Sequence, residues 1–478
     1  MASKEKVIEN LTYFQDELES IDNKSDLMDL EEKFTFSEDI LKEYVKDHLK
    51  SEGDRAVEYR AAQSIIGYNK LLFIRLLLKK KKFKKAKEIL ESFDKSINHI
   101  TYFQSYLAYI FYKNKVSDNL IDKFEATFDK VINSSVWNLE YFINISYFEE
   151  IENLDNEDDK FLLLIFSFLV LRFLYLLNVE FDDEIERKVA HFTDVNVARL
   201  LVNGKTQIRL SSTEFMNDPK EGELFFDIFG LKKFRDELNY EQSFLACFTF
   251  NHNSLNQFRL YGKLEEKECT GLSLVVNKNF FSKMTNRYDD QKSKGLPLFR
   301  CVYIDPISKH FELAKRNKFS FYQEFSSGEK AKSQQEIEDM WVSYNEKITK
   351  TEKVLSKILM DMEVIVSELD LEKIKLLKHI NHLIQPIRFL FKHFAFQEEQ
   401  ECRILEICSL SDTKVEADFE SAKTYINYPL KIEDYLTNVY IGKALEKKSV
   451  CLTKEILSLQ LKGNPKVKLT DNPFRLKE

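Results

Sequence analysis

Polar residues of types that bind nucleotides lie in one segment near residue 200. His191 ends a predicted strand, and Thr193 is placed as the N-cap of a predicted helix. A histidine at a strand end beside a helix N-terminus can hydrogen-bond ribose hydroxyls, and the free N–H groups of that helix can face phosphate. A second predicted strand, residues 207–210, leads into a polar corner formed by Ser211 and Ser212. The segment predicts nucleotide contacts from these four polar residues; the alternative is a histidine satisfied at a strand edge.

Two carboxylates are spaced two residues apart near residue 400. Glu399 and Glu401 would point to the same face of a predicted strand, and Arg403 continues that face. Two ionised carboxylates on one face repel each other and destabilise the fold unless they are solvated or neutralised. Arg403 could neutralise them. Such a pair can carry out acid–base chemistry or stabilise a developing positive charge. The alternative is a solvated acidic face, which is the usual role of an acidic run.

The order of several short motifs resembles that of a bacterial domain family of unknown function. Its members share an H/Y-x-T/S opening, an Asn-Asp-Pro turn, a Cys-Phe-Ser strand, a Trp-x-x-Tyr-Gly/Ala element and a late Lys…Trp…Glu-x-Glu-x-Arg strand. The resemblance covers about residues 190–445, and the matching residues here are His191 to Thr193, Asn217-Asp218-Pro219, Cys247-Phe248-Thr249, Phe258 to Gly262 and Lys392 to Arg403. Phe258 and Phe396 stand where the family usually has tryptophan.

The order histidine, tyrosine, glutamate across three separated strands is also similar to that of H-Y-E type ADP-ribosyltransferases. The resemblance implies that His191 binds the ribose hydroxyls of NAD, that Tyr261 lies against the nicotinamide ring and that Glu401 hydrogen-bonds the nicotinamide ribose. Glu399 could then position an acceptor, with Arg403 as a further contact to the cofactor. Cleaving the N-glycosidic bond passes through an oxocarbenium-like state, which a carboxylate beside the ribose stabilises. NAD is the implied substrate, and no metal is expected.

The strands and helices that carry these residues begin near residue 186. All seven prolines, all six cysteines and nine of the eleven glycines lie beyond residue 190. The long stretch without proline predicts helices, and residues 61–93 resemble one tetratricopeptide-type hairpin. Short apolar runs bounded by turn residues then predict strands at 244–250, 271–276, 298–304, 402–408 and 438–441. We expect an α+β protein with an all-helical, repeat-like N-terminal domain over residues 1–185. A mixed α+β, ADP-ribosyltransferase-like domain would follow over residues 186–478, with a helical insertion at about 329–393.

Composition and motifs disfavour several classes of protein. The formal net charge of −8 argues against bulk nucleic-acid binding, and the six cysteines show no metal-binding spacing. No Walker A loop, G-x-S-x-G elbow, H-E-x-x-H helix or G-x-G-x-x-G loop is present. His379 and His382 could form only a metal half-site, and surface histidines are the preferred alternative. Residues 161–177 are apolar but contain Arg172 between acidic flanks, which favours a buried helix over a membrane span.

These resemblances imply an ADP-ribosyltransferase-like toxin or effector that uses NAD to modify a protein or a nucleic acid, with water as a further acceptor. The unpaired spacing of the cysteines and the lack of an apolar secretory segment favour a cytoplasmic protein. The N-terminal helical domain is expected to bind a protein partner, and no membrane partner is expected. By analogy with the family architecture, the setting would be anti-phage defence or toxicity toward a target cell. The first alternative is a non-enzymatic helical-repeat interaction protein with a nucleotide-binding C-terminal domain. A nuclease is disfavoured, because no convincing Asp/Glu-x-Lys arrangement is present.

Overall fold

The chain divides into two compact units, residues 1–139 with 286–289 and residues 140–285 with 290–478. A computed structural model describes residues 70, 73–74, 77–78, 81–92, 150–151, 154–179, 185–186, 188–215, 221–232, 241–282, 295–326 and 331–473.

The described part of the first unit includes the helix Phe83–Glu91 (α1). Its sequence contains no proline or glycine, and its apolar residues repeat with helical spacing, so that Ala86 and Leu90 are buried on one face. The Lys70 ammonium group donates to the carbonyl oxygen of Ser92 at 2.9 Å, just beyond the end of α1. The tetratricopeptide-type hairpin expected at residues 61–93 lies partly outside the described residues. Any further repeats lie outside them, so a helical array stays a prediction.

The second unit contains both helices and strands. Its described helices are α2 (Glu157–Leu177), α3 (Val195–Val202), α4 (Leu224–Phe229), α5 (Leu255–Leu260), α6 (Lys318–Phe325), α7 (Gln334–Glu368), α8 (Ile374–Leu383), α9 (Gln385–Arg388) and α10 (Glu446–Ser458). Its described strands are β1 (Lys188–Asp194), β2 (Arg209–Ser212), β3 (Glu241–Thr249), β4 (Gly271–Asn277), β5 (Leu298–Arg300), β6 (Val302–Ile304), β7 (Phe311–Leu313), β8 (Phe391–His393), β9 (Glu401–Ser409), β10 (Val415–Asp418), β11 (Lys423–Asn427), β12 (Leu436–Ile441) and β13 (Lys466–Leu469). Short 3-10 helices span Thr213–Phe215, Lys278–Phe280, Phe394–Glu399, Ile432–Asp434 and Lys443–Leu445.

Ten of these strands form one sheet. Eight of them follow the order β10-β11-β2-β3-β1-β4-β12-β13, while β9 pairs with β3 and with β5. Strands β3 and β9 are antiparallel along their full length, from Glu241 opposite Ser409 to Thr249 opposite Glu401. Strands β6, β7 and β8 form a separate three-stranded sheet. The long β3–β9 ladder is the frame that positions the carboxylate of Glu401.

One face of the large sheet is apolar. Side chains alternate between the two faces of a strand, and three alternate residues of β3, Phe244, Ala246 and Phe248, join the main core. Helices α3 and α10 cover this face and contribute Leu201 and Leu452 to the same core. Across β3 and β9, the other face carries Arg403, because Cys247 and Arg403 are paired residues.

Helix α2 is apolar around its whole circumference and is buried, as its sequence predicts. It packs against α7, α8, α9 and β5. The ring of Phe173 stacks on that of Phe391, with 5.5 Å between the ring centroids. In the parts of the chain described above, no helix is both long enough and apolar enough to cross a membrane.

The fold class expected from the sequence is wrong. The sequence pattern assigns α2 to an all-helical N-terminal domain and α7 to α9 to an insertion in a separate, ADP-ribosyltransferase-like domain. These helices instead pack together in one mixed α+β unit, built on a ten-stranded sheet and a smaller second sheet. The physical reason is that periodicity shows that a helix must be buried but does not show which distant elements bury it.

Candidate functional site

The two carboxylates of the Glu-x-Glu motif lie at a junction between two elements. Glu399 ends the 3-10 helix Phe394–Glu399, and Glu401 begins β9. Gln400 between them has a φ of 47°, in the left-handed region, so the chain is not extended there. The expectation that both glutamates lie on one strand is therefore wrong, although their side chains still meet.

Lys392 joins the two carboxylates. Its ammonium group donates to Glu399 and, at 2.5 Å, to Oε2 of Glu401. The guanidinium Nε of Arg403 donates to the other oxygen of Glu401 at 2.7 Å. All four of these side chains are at least nine-tenths buried. The carboxylate of Glu401 is therefore engaged on both oxygens by cations.

A third carboxylate, Glu221, completes this network. Its side chain forms an ion pair with Arg403 and is 5% exposed. Arg403 also donates to the main-chain carbonyl of Phe389, and its side chain is 1% exposed. We call Glu221, Lys392, Glu399, Glu401 and Arg403 the carboxylate network. With every group ionised, it holds three negative and two positive charges.

Tyr261 lies at the border of the carboxylate network. It follows α5, which begins after an N-cap at Ser254, and its hydroxyl donates to Oε1 of Glu399 at 3.3 Å. The next residue, Gly262, has a φ of 70°, and a Cβ there would lie 2.5 Å from the carbonyl oxygen of Thr193. Only glycine fits this close approach, which fixes the direction in which Tyr261 leaves α5. Tyr261 is half-buried, so the network borders a partly open surface at this residue.

A second aromatic ring covers the network from outside. Phe396 is 40% exposed, and the ammonium group of Lys392 lies 5.4 Å from its ring centroid. The main chain beneath it is fixed by Thr249, whose hydroxyl donates to the carbonyl of Glu399 at 2.7 Å. The two aromatic residues, Tyr261 and Phe396, thus mark the sides from which a substrate could approach the buried charges.

The pKa values of the two glutamates of the motif move in opposite directions. Burial raises the pKa of Glu399, and the nearby Glu401 raises it further, against the attraction of Lys392. Burial also acts to raise the pKa of Glu401, but the neighbouring cations Arg403 and Lys392 outweigh it and hold the pKa well below its usual range. Glu401 is therefore ionised at neutral pH, while Glu399 holds a proton more tightly than a solvated glutamate does.

Three residues of this site were missed by the sequence analysis as functional residues. Lys392 begins the motif run 392–403 quoted above, and a lysine among the apolar residues of 389–394 was the available signal. Cys247, whose thiol donates to Glu401, begins the quoted run 247–249. Glu221 follows the Asn-Asp-Pro motif by two residues, but nothing in the sequence links it to Arg403. That link depends on tertiary structure.

His191 is not brought together with these residues. It lies within β1, which continues to Asp194, and its Nδ1 is 3.0 Å from the carbonyl oxygen of Cys247. Its ring packs against Phe248, on the apolar face of the sheet, at a centroid distance of 5.6 Å. Burial lowers the pKa of His191, so that the ring is neutral at physiological pH. The register therefore places His191 and Glu401 on opposite faces of the sheet.

The other predicted cofactor contacts are also dispersed. Thr193 lies inside β1, and the N-cap of α3 is Asp194, whose carboxylate accepts from the N–H groups of Asn196 and Val197. That helix end already holds an anionic group, since the cap occupies the N–H groups that would face phosphate. Ser211 and Ser212 on β2 pair with Leu245 and Phe244, about 14 Å or more along β3 from the residue opposite Glu401.

The remaining sequence motifs give no further site. Asn217, Asp218 and Pro219 lie outside the described residues. His379 is buried in α8 rather than on the surface, and burial lowers its pKa to about 4. Within the described ranges, no group of three or more histidine, cysteine, aspartate or glutamate side chains is arranged to hold a metal ion.

No protein-family model matches the chain, and no curated protein sequence or solved structure shows significant similarity to it.

Proposed function

We propose that the second unit is an ADP-ribosyltransferase that consumes NAD and in which Glu399 and Glu401 have different chemical roles. The observation that carries the proposal is the unequal charge of the carboxylate network, in which three buried carboxylates share two cations. The pKa values of Glu399 and Glu401 are displaced in opposite directions. Carboxylate pairs of this kind are typical of sites that use one group as a fixed charge and the other as a proton carrier.

In the proposed reaction, the bond between C1′ of the nicotinamide ribose and the nicotinamide nitrogen breaks, and the bonding electron pair leaves with nicotinamide. In the form that reacts, Glu399 is deprotonated, and the resulting net negative charge of the network, to which the ionised Glu401 contributes, stabilises the positive charge that develops on the ribose. An oxygen or nitrogen atom of a protein, a nucleic acid or water then bonds to C1′. Glu399 accepts the proton of that acceptor, because a raised pKa makes its carboxylate the stronger base.

The two aromatic residues at the border of the network are suited to hold the nicotinamide. Tyr261 is half-buried and Phe396 is 40% exposed, so both rings offer a surface on which a planar ring can stack. The H-Y-E resemblance gives Tyr261 this role. His191 has no part in the proposed reaction, since it packs on the other face of the sheet. A toxin or effector in anti-phage defence is the setting that belongs to this proposal.

The test compares Glu399→Gln with Glu398→Gln in the full-length protein. Glu398 is the neighbouring residue on the same 3-10 helix, but it is exposed and bonds to Asn256 outside the carboxylate network. We expect Glu399→Gln to lower the rate of nicotinamide release from NAD by about 10²–10³-fold while NAD binding changes by less than about threefold. Glu398→Gln should release nicotinamide at a rate close to that of the unsubstituted protein.

The measurements are calorimetric binding of NAD, nicotinamide release by chromatography and thermal melting of each variant. A protein that neither binds NAD nor releases nicotinamide would overturn the proposal. Binding without release would instead assign the site to nucleotide recognition in a non-enzymatic protein. Equal loss of activity in both variants would also count against a specific role for Glu399.

A further inference from the structure

The edge of the large sheet at β13 has an open side. Strand β13 pairs in parallel with β12, from Lys466 opposite Asn438 to Leu469 opposite Ile441. It stands at the end of the strand order, and no described strand lies on its other side. An edge strand of this kind presents unpaired N–H and C=O groups that can accept another extended chain. Helix α10 connects β12 to β13 and packs beside this edge.

An apolar groove adjoins the open edge. Its volume is about 620 Å³, and it lies between α10 and the ends of the two strands, where Ile441, Val450, Leu457 and Leu469 contribute its apolar lining. Val450 and Leu457 are seven residues apart on α10, two helical turns, and they face the same side. They are 76% and 55% exposed, although both are apolar. Their burial by a partner would remove this apolar surface from water.

The surroundings of the groove are positively charged. Five exposed lysines lie on α10 and β13, the two elements that border the groove, and among the described residues none of them has a carboxylate within 4.0 Å; they are Lys447, Lys448, Lys454, Lys466 and Lys468. By contrast, Arg199 is paired with Glu455 of α10, and Lys462, between α10 and β13, is paired with Asp434. In a chain with a formal net charge of −8, this cluster is a local positive surface. It is complementary to a segment that carries carboxylates.

We propose that β13 and the α10 groove receive an extended segment of a partner protein in which apolar and acidic side chains alternate. A strand added to β13 would point every second side chain to each face of the sheet. Leu469 lies on the face covered by α10, whereas Lys466 and Lys468 lie on the other face, since Leu469 pairs with the core residue Ile441. Apolar side chains of the partner would therefore enter the groove, and acidic ones would meet the lysines of β13.

The test uses the full-length protein and a fluorescein-labelled octapeptide of alternating leucine and aspartate. The control peptides are an octapeptide with four leucines followed by four aspartates, and one in which lysine replaces aspartate. We expect saturable binding of the alternating acidic peptide alone, measured by fluorescence anisotropy. Hydrogen exchange at the amides of residues 466–469 should slow in the complex, because a new strand would cover them.

Substitutions locate the binding site. Leu457→Asp should weaken binding about tenfold or more, whereas Val342→Asp, at an apolar position of α7 that is 46% exposed, should not. The double variant Lys466→Glu with Lys468→Glu should lose the acidic peptide and gain the peptide with lysine in place of aspartate. Thermal melting checks that each variant is folded.

The lysines of β13 have an alternative role. Lysines on an edge strand also serve to prevent strand addition. Absence of saturable binding, equal binding of the block peptide, or binding unaffected by either Leu457→Asp or the lysine substitutions would assign β13 to that protective role and overturn the proposal.

Discussion

Two networks of buried charge lie in the same mixed unit and differ in their charge count. In the first, Glu186 accepts from the guanidinium of Arg300 and from the hydroxyl of Tyr344, so one carboxylate faces one cation and one phenol. We call these three residues the Glu186 network. In the second, the carboxylate network around Glu401, three carboxylates face two cations. Counted over these described residues alone, the charges of the first network balance and those of the second do not.

The two networks also differ in their access to solvent. Glu186, Arg300 and Tyr344 are all at most 5% exposed. The carboxylate network is equally buried in its charged groups but borders the half-buried Tyr261 and the exposed ring of Phe396. An enclosed ion pair whose charges balance holds secondary-structure elements together. A buried network with an excess of carboxylates, lying beside an open surface, can take up a proton from a bound molecule and release it again. For this reason we propose a structural role for the Glu186 network and a catalytic role for the carboxylate network.

The largest effect expected from this comparison is on stability. Glu186→Gln should lower the free energy of unfolding of the second unit by about 3–5 kcal/mol, because it leaves the buried charge of Arg300 without its carboxylate. Glu399→Gln should cost less than about 1.5 kcal/mol, since Glu399 readily holds a proton and Lys392 keeps its bond to Glu401. Urea unfolding followed by circular dichroism measures both values.

The same pair of variants can show that the two networks have the same role. If Glu399→Gln destabilises the unit as much as Glu186→Gln does, both networks are structural supports. Activity measured on the folded fraction separates the cases further, because Glu186→Gln should retain nicotinamide release per folded molecule.

The candidate site was partly predictable from the sequence. The Glu-x-Glu-x-Arg pattern drew attention to Glu399, Glu401 and Arg403, and the motif order added Tyr261; these four side chains do meet. The face of His191 was not predictable, because a shift of one residue along a strand turns a side chain to the opposite face. Nor could the sequence show that Gln400 adopts a left-handed conformation, so that β9 begins only at Glu401 and does not include Glu399.

The fold was predictable at the level of single elements. The apolar circumference of α2 predicted its burial, and the apolar runs of β3, β4 and β9 predicted strands close to their observed positions. The association of α2 with α7 to α9 was not predictable, because these contacts join distant parts of the chain and no local pattern encodes them. The ion pair between Glu221 and Arg403 was not predictable for the same reason.

His191 offers a smaller test, since it is a polar group on the apolar face and outside both networks. His191→Ala should lower the free energy of unfolding by about 1–2 kcal/mol, through loss of the bond to the Cys247 carbonyl and of packing against Phe248. NAD binding and nicotinamide release should change by less than about threefold. A tenfold loss of NAD affinity without loss of stability would restore the ribose-binding role that the H-Y-E resemblance implies.

The smallest expected effect is on the pH dependence of stability. It tests directly whether the carboxylate network holds more carboxylates than cations. Glu399 has a pKa that burial raises in the folded state, so the folded protein binds this proton more tightly than the unfolded chain does. Its contribution to stability is fully present below the ordinary carboxyl pKa, which is about 4.3, and is lost as the pH rises through the folded value. The loss amounts to about 1.4 kcal/mol for each unit by which the folded pKa exceeds the unfolded one.

Glu401 contributes with the opposite sign, because its folded pKa is depressed; its stabilising effect is present at neutral pH and is lost only as the pH falls through a value below the usual range. Over the interval between the ordinary carboxyl pKa and the raised folded values, the fall in stability with rising pH should therefore come from Glu399 and from Glu221, whose pKa burial also raises. Glu399→Gln should make the urea midpoint less dependent on pH over this interval, while Glu398→Gln should leave the dependence unchanged. If both variants show the same dependence, the network does not hold its extra proton on Glu399, and the assignment of proton transfer to this residue fails.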